Sequence, residues 1–344
     1  MQNPLKALFL FFTFAGCFAI TAQDSLNTVI AEQGDGIYSL LRKNGINPTK
    51  FYNAFIEANK EKLSQEEYLR VGEFYIIPDT VQSSKVDKVD LKTLKEYRIF
   101  GKDFSRVDSL SNRLSGNIYY LVSGHGGPDP GAIENYDGKL IAEDEYAYDI
   151  TLRLARELIS HGAEVTLIIK DENDGIRDDR KLELDTDEVA HPNQEIPLNQ
   201  LARLKQRVKA INKLYKENLG KYQRLLVTHV DSRSKGTNID VFFYHHEKSK
   251  NGKRLAESIH QTFLKKYAKF QPNRGYQGTF EDRSGLYMVK KTLPAMAYIE
   301  VGNIRNKKDQ RRILDPDNRQ ALAKWISEGV ILDYESSKTF SEQD

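Results

Sequence analysis

The sequence predicts an α/β fold, a mostly parallel twisted sheet covered by helices on both faces and preceded by a small βααβ domain. Three observations predict it. From about Gly116 onward, strand-like and helix-like runs alternate, the pattern of parallel strands joined by crossover helices. Three of the strand-like runs, far apart in the chain, stop on a residue able to bind or serve a metal. Asn117 to Val122 leads into Ser123-Gly124-His125-Gly126-Gly127, Arg224 to Thr228 into His229, and Met296 to Ile299 into Glu300. Ahead of them, Asn27 to Asp79 reads strand, helix, helix, strand. Ligands of open α/β sheets gather outside the carboxyl ends of the strands, so His125, His229 and Glu300 are expected to meet there.

The amino terminus reads as a separate segment. Lys6 precedes an apolar or small-residue run from Ala7 to Ala22, and charge begins only at Asp24. At roughly 16 residues the run is shorter than the about 20 that a membrane-spanning helix needs. It reads as a secretory signal peptide over residues 1–22, with Ile20 and Ala22 loosely fitting a cut after Ala22. The chain is therefore expected in an exported compartment, periplasm or cell envelope. Cys17 is the sole cysteine. Phe14-Ala15-Gly16-Cys17 partly matches a lipoprotein processing box, although Phe14 stands where an aliphatic residue is usual, so anchoring through Cys17 is the lesser expectation. A cut after Ala22 leaves no cysteine, and the core must hold without disulfides.

In the small domain Thr28-Val29-Ile30 forms the first strand and Ile37 to Lys43 a helix closed by Asn44-Gly45. Phe51 to Lys60 carries apolar residues at helical spacing, and Phe74 to Ile77 is the last strand, stopped by Pro78. Val81 to Lys95 is polar without an apolar period, which sets a linker at 80–115, with Arg98 to Gly101 as a candidate edge strand. In the large domain, 116–333, Asn117 to Val122 is followed by a helix from Tyr146 to Ser160, closed by His161-Gly162, and by a strand from Ala163 to Ile169. Lys181 to Pro197, with Asp185, Asp187, Glu188, Pro192 and Pro197, reads as a long acidic loop, either a functional loop or a surface insertion. A helix over Leu198 to Glu217 follows, then strands at Arg224 to Thr228, Ile239 to Tyr244 and Met296 to Ile299. Arg254 to Ala268 and Arg319 to Ile331 are helical, and 334–344 is a polar tail.

Of 344 residues 39% are hydrophobic and 29% charged, with a net charge of +2. No basic stripe with interleaved aromatics stands out, so nucleic acid is not an expected partner. Two imidazoles and one carboxylate at a sheet edge suit a hydrolytic zinc site with an open position. A second carboxylate is available where a helix begins, at Glu143, Asp144 or Glu145. Glu143 shares a helical face with Ala147, Ile150, Leu154 and Leu158, whereas Glu145 lies about 200° around from Ala147. This favours Glu143 over Glu145.

Two family resemblances rest on these residues. Gly34, Asp35, Tyr38, Ser39, Leu40, Asn59, Leu69, Gly72, Tyr75, Ile77 and Pro78 match a LysM domain, which implies binding to N-acetylglucosamine-containing glycan such as peptidoglycan. His125-Gly126-Gly127, Asp129-Pro130-Gly131-Ala132, the acidic helix start, His229, and Glu300 with Gly302 and Asn306 occur in the order found in the zinc-dependent N-acetylmuramoyl-L-alanine amidases (amidase type 3). Leu204, Arg207, Asn212 and Pro294 also match, and the resemblance covers about Gly116 to Leu332, with an insertion around Asn135 to Gly138 relative to the family spacing that keeps Glu145 open as the helix-start ligand. It implies a Zn2+ ion held by His125, Glu143 and His229, with Glu300 as catalytic base, and hydrolysis of the bond between N-acetylmuramic acid and L-alanine of the stem peptide. It leaves room for a protein activator. Asp231, Arg283 and Asn303 are the candidate substrate-contacting residues, with Tyr287 beside Arg283. Two departures bear on how the peptide is held. Val227-Thr228-His229-Val230-Asp231 replaces Ser-x-His-x-Asn, and Asn303 stands where Phe is usual. Two other readings share these residues: a non-catalytic peptidoglycan-binding or regulatory protein, and an amidase acting on free muropeptides. His161, His191, His245 and His246 read as surface residues.

Overall fold

A computed structural model describes residues 27–32, 35–63, 69–78, 95–276 and 278–341. The expected signal segment with Cys17, Gly34 and Asp79 of the small domain, residues 80–94 of the expected linker and residues 342–344 of the tail lie outside the described residues. No helix among the described residues is long and apolar enough to cross a membrane.

The small module is β1 (Thr28–Ile30), α1 (Ile37–Lys43), α2 (Pro48–Asn59) and β2 (Phe74–Ile76), with β1 antiparallel to β2. Gly45, in the left-handed region at φ 71°, lets its N–H return to the Arg42 carbonyl and end α1. Leu40, Leu41, Phe55 and Tyr75 fill the interior. Asn59 staples it, donating to the Phe55 and Ile76 carbonyls and accepting the Ile76 N–H. The module docks on the larger domain through Arg42, paired with Asp317 at 2.8 Å and Asp178 at 3.3 Å, and through Asn53, which bonds Asp108 at 2.7 Å.

The larger domain begins earlier than the expected boundary at 116. Phe100, Phe104, Val107 and Leu114 are buried in its main core, so residues 95–115 are part of the packed body. The edge strand expected at Arg98 to Gly101 is a 3₁₀ turn over Arg98–Phe100. The Phe100 N–H bonds to Tyr97 and the Gly101 N–H to Arg98, a curl that turns Phe100 inward.

There follow β3 (Ile118–Ser123), a hairpin of β4 (Ile133–Tyr136) and β5 (Lys139–Ala142), α3 (Glu143–Ser160), β6 (Glu164–Leu167), β7 (Ile169–Lys170), β8 (Val189–Ala190), β9 (Gln194–Glu195), α4 (Gln200–Glu217), β10 (Gln223–Asp231), β11 (Phe242–His245), α5 (Lys250–Phe270), β12 (Phe280–Asp282), α6 (Tyr287–Lys291), β13 (Ala295–Asn303), α7 (Lys307–Leu314) and α8 (Pro316–Ser341). The central sheet has the order β12-β11-β13-β10-β3-β6. From β6 to β13 the strands are parallel, and β11 is antiparallel to β13. Side chains of successive strand residues point to opposite faces. Tyr119, Leu121, Leu226 and Ile299 accordingly pack with residues of α3, α5 and α8 such as Leu154, Ile259 and Ile326. Ile118, Tyr120, Leu225 and Val227 pack on the other face with Ile211 of α4 and Met288 of α6. The fold is α/β with a mixed, mostly parallel sheet flanked by helices, as the sequence predicts.

Three further differences have local causes. The strand expected from Ile239 starts only at Phe242, because Ile239 gives its N–H to the Asp309 carboxylate instead of to a strand. The last helix continues through the expected polar tail to Ser341. His245, expected at the surface, is buried with its ring 5.6 Å from that of Phe280. The insertion at Asn135 to Gly138 is the tip of the β4–β5 hairpin. Asp137 and Gly138 both have positive φ, 45° and 77°, the signature of a two-residue type I′ turn.

Helix α3 is tied to the body by a buried ion cluster. Asp149 accepts from Arg153 at 2.8 Å, Arg319 at 2.6 Å and the Arg177 N–H at 2.8 Å. Burial alone would raise its pKa, yet Arg153 and Arg319 hold it down to about 2. Removing the charge strands two buried guanidinium groups, so Asp149→Asn is expected to lower the unfolding free energy by about 3–5 kcal/mol in urea titrations followed by circular dichroism. An unchanged midpoint would show that the cluster contributes nothing to stability.

Candidate metal centre and catalytic cavity

The carboxyl ends of β3, β10 and β13 lie side by side, with Thr228 opposite Ser123 and His229 opposite Glu300. As β3 ends, the chain turns through His125, which has a φ of 59°, a conformation rare for a residue with a side chain. Two glycines make room for the imidazoles. A Cβ on Gly124 would lie 2.4 Å from His229 Nδ1, and one on Gly131, whose φ is 69°, would lie 2.8 Å from the His125 ring and 2.9 Å from the Glu143 Cβ.

Glu143 is the first residue of α3 and faces both imidazoles. Its Oε1 lies 3.2 Å from His125 Nε2 and 2.9 Å from His229 Nδ1. The carboxylate is fixed by the Val230 N–H on Oε1 at 3.1 Å and the Ala132 N–H on Oε2 at 3.2 Å. The ligand atoms of His125, Glu143 and His229 all lie within 4.8 Å of one another, close enough to hold one metal ion. Glu145 points elsewhere, to Arg177 at 2.9 Å and the Asp185 N–H at 3.1 Å, so the structure brings Glu143 to the imidazoles.

Residues outside the triad set the orientation of each ring. His125 Nδ1 donates to Asp129 at 2.9 Å, and Arg203 holds the same carboxylate oxygen at 2.6 Å. That bond fixes the tautomer and leaves Nε2 to face Glu143. Arg207 donates to the His125 carbonyl, steadying the left-handed turn. Tyr298 stacks on the His229 ring, with centroids 4.7 Å apart and planes at 14°. Burial works against protonation of both imidazoles. Bonds to Asp129 and Glu143 outweigh it for His125, which rises to about 10, while His229 falls. Glu143 is lowered to about 2 against its burial by the two imidazoles.

Glu300 sits opposite His229 and is partly buried, with no hydrogen-bond partner for its Oε2. Burial, then the like charges of Glu143 and Asp231, push its pKa well above the usual carboxylate range. A carboxylate kept unpaired beside a three-donor cluster fits a site that takes a metal ion and a proton donor, since an orphaned buried oxygen is otherwise costly. These groups open on a cavity of about 530 Å³, lined also by Leu204, Asp231, Leu286, Tyr287, Met288 and Arg305.

The remaining candidates fall in different places. Asp231 lines the cavity, but its carboxylate takes the Ser232 N–H and the Arg233 guanidinium, both at 2.6 Å. Arg283 is exposed, lies over the Tyr244 ring at 5.0 Å and is not on the cavity wall. Asn303 is 0% exposed, and its amide donates to the Ser234 and Thr237 carbonyls while accepting the Arg305 N–H. It therefore pins a neighbouring loop and has no free group for a substrate. The acidic loop adds no residue to the cavity wall. Its Glu188 accepts the Gly127 N–H at 2.7 Å, and Ile196 packs against Gly127, so it underlies the His125 turn. Sequence reasoning left Arg203 and Tyr298 without a role and gave Asp129 and Arg207 only a place in a motif. The signal for the arginines is their spacing, four apart on the buried face that carries Leu204 and Ile211.

Comparison with known proteins identifies the family. The profile of the N-acetylmuramoyl-L-alanine amidase family matches residues 120–331. The germination-specific N-acetylmuramoyl-L-alanine amidase of Bacillus subtilis (strain 168) is 27% identical over 239 residues, 68% of this chain and 87% of that protein. Among solved structures, the CwlD amidase of Clostridioides difficile, in complex with the GerS lipoprotein, is 20% identical. The match covers 64% of this chain and 98% of that one, with a TM-score of 0.48. The N-acetylmuramoyl-L-alanine amidase AmiC2 of Nostoc punctiforme is 21% identical over 66% of this chain and 99% of that one, with a TM-score of 0.45. The family match spans both imidazoles, the Glu143 carboxylate and Glu300, and the chain belongs to the N-acetylmuramoyl-L-alanine amidase family.

Proposed function

We propose that this protein is an exported, zinc-dependent peptidoglycan amidase that cleaves the bond between the lactyl group of N-acetylmuramic acid and L-alanine of the stem peptide. The observation that carries this reading is the unpaired Glu300 Oε2 beside the convergent His125, Glu143 and His229. Those three residues would hold the zinc, which supplies Lewis-acid polarisation of the scissile carbonyl and a lowered pKa for water. Glu300 takes the proton of the attacking water and returns it to the departing amine nitrogen. Asp129 and Arg203 keep His125 in the tautomer that presents Nε2, and Tyr298 holds the His229 ring flat against β13. The cavity walls formed by Leu204, Leu286 and Met288 shield the reacting amide from bulk water.

Export is supported by Lys6 followed by the apolar run to Ala22. N-terminal sequencing of envelope-derived protein should begin at Gln23; an intact Met1 would rule it out. The βααβ module, with Asn59 stapling its helix to β2, supports the LysM reading. Oligomers of N-acetylglucosamine are expected to shift amide resonances within 35–78 of the full chain. Shifts confined to the cavity would count against a glycan-binding module.

Digestion of purified peptidoglycan followed by mass spectrometry tests the activity. Zinc-loaded protein should release stem peptides beginning with L-alanine, and chelator should abolish the release until zinc is restored. No product from the zinc-loaded wild type would remove the hydrolase reading and leave a wall-binding role. Glu300→Gln should lower kcat by about 10²–10⁴-fold with zinc content unchanged. In the metal-free protein the Glu300 carboxyl is held above the usual carboxylate range by burial, then by the like charges of Glu143 and Asp231. Gly131→Ala should weaken zinc binding by at least about tenfold in chelator competition, because the new methyl group meets both His125 and Glu143.

A further inference from the structure

A buried cation without a carboxylate partner stands in the wall of the catalytic cavity. Arg207 is 4% exposed and lines the cavity with His125, His229 and Glu300. It forms no ion pair among the described residues, and its buried Nε has no hydrogen-bond partner. Among the described residues its one acceptor is the main-chain carbonyl of His125. Asp129 and Glu188 are near, but Asp129 is engaged by His125 and Arg203, and Glu188 by the Gly127 N–H. Arg203, one helical turn earlier, adds a like charge. A neutral amide would serve a single carbonyl as well, whereas an uncompensated buried charge is expensive.

We infer that Arg207 is the anion-binding residue of this cavity and receives the acyl oxygen that becomes negative as the amide is cleaved. The inference rests on the proposed amide hydrolysis. As the water oxygen bonds to the carbonyl carbon, the π pair of the C=O moves onto its oxygen. When the C–N bond breaks, that pair re-forms the carbonyl, the nitrogen takes the proton from Glu300, and the acid so formed gives its remaining hydroxyl proton to the freed amine and leaves as a carboxylate. Negative charge therefore develops on the acyl oxygen during the reaction and reappears on the same acyl group, shared by both oxygens, in the product. A guanidinium already fixed in a weakly polarisable wall stabilises that charge without reorganising.

Two variants of the zinc-loaded full chain separate charge from hydrogen bonding. Arg207→Gln keeps a donor for the His125 carbonyl and removes the charge; Arg207→Lys keeps the charge. The readouts are kcat and KM on a muramoyl peptide, calorimetric binding of N-acetylmuramic acid, zinc content and melting temperature. Arg207→Gln should lose at least about 100-fold in kcat with little change in KM and bind N-acetylmuramic acid at least tenfold more weakly. Zinc content and melting temperature should hold, and Arg207→Lys should recover part of both losses. Wild-type kcat and product binding in Arg207→Gln would overturn the inference. Loss of zinc in step with loss of activity would also overturn it, since Arg207 would then only hold the His125 turn. If Arg207→Gln fails to fold, the Lys variant decides: no better than background in kcat and product binding, with zinc retained, would refute a role for the charge. A wild type that binds N-acetylmuramic acid through Arg207 but cleaves nothing would refute the proposed function and leave the anion site standing. A wild type that does neither would refute both.

Discussion

One carboxylate holds the site together. Glu143 meets His125 on one side and His229 on the other, and it takes backbone N–H groups from Ala132 and Val230. It thereby joins three stretches of chain, the turn after β3, the start of α3 and the end of β10. Its place at the first position of α3 suits a negative charge, because the free N–H groups of a helix start carry partial positive charge. The position of α3 is fixed further along by Asp149 between Arg153 and Arg319. The helix thus anchors the candidate metal centre at one end through a core that is itself ionic, with Asp149 matched by both guanidinium groups.

Much of this arrangement was legible in the sequence, for reasons that are physical. His125, His229 and Glu300 each end an apolar run, and parallel strands deliver their ends to one edge whatever the separation in the chain. Glu143 could be favoured because a helix that packs on a sheet must present one face, and Glu143 shares it with Ala147 and Leu154. Residues 95–115 were not legible as part of the domain. Phe100, Phe104, Val107 and Leu114 enter the core singly from irregular backbone, so no period marks them. Asn303 was misplaced because its motif position adjoins the site, whereas its side chain turns away to hold the 232–238 segment.

The supporting residues are harder to read because their partners are long-range. Arg203 and Arg207 look like the solvated face of a basic helix until the turn at 125–129 is seen beneath them. Their two tasks differ. Arg203 completes a charge pair with Asp129 and so stiffens the His125 ring, while Arg207, among the described residues, meets a carbonyl and no carboxylate. A site that stores an unpaired cation and an unpaired carboxylate, Glu300, in one cavity holds its electrostatics ready for a ligand that brings the complements.

The β4–β5 hairpin shows how such a centre tolerates change in the chain beside it. Ala132 and Glu143 flank the hairpin and are bonded to each other, the Glu143 N–H reaching the Ala132 carbonyl at 2.9 Å. The ten residues between them leave and return at one closed base, with Ile133 paired to Ala142. Closure entropy grows only slowly with loop length. The hairpin is therefore a port, a point where sequence can be added or trimmed between two residues of the cavity wall, Ala132 and Glu143, while the Glu143 carboxylate keeps its place.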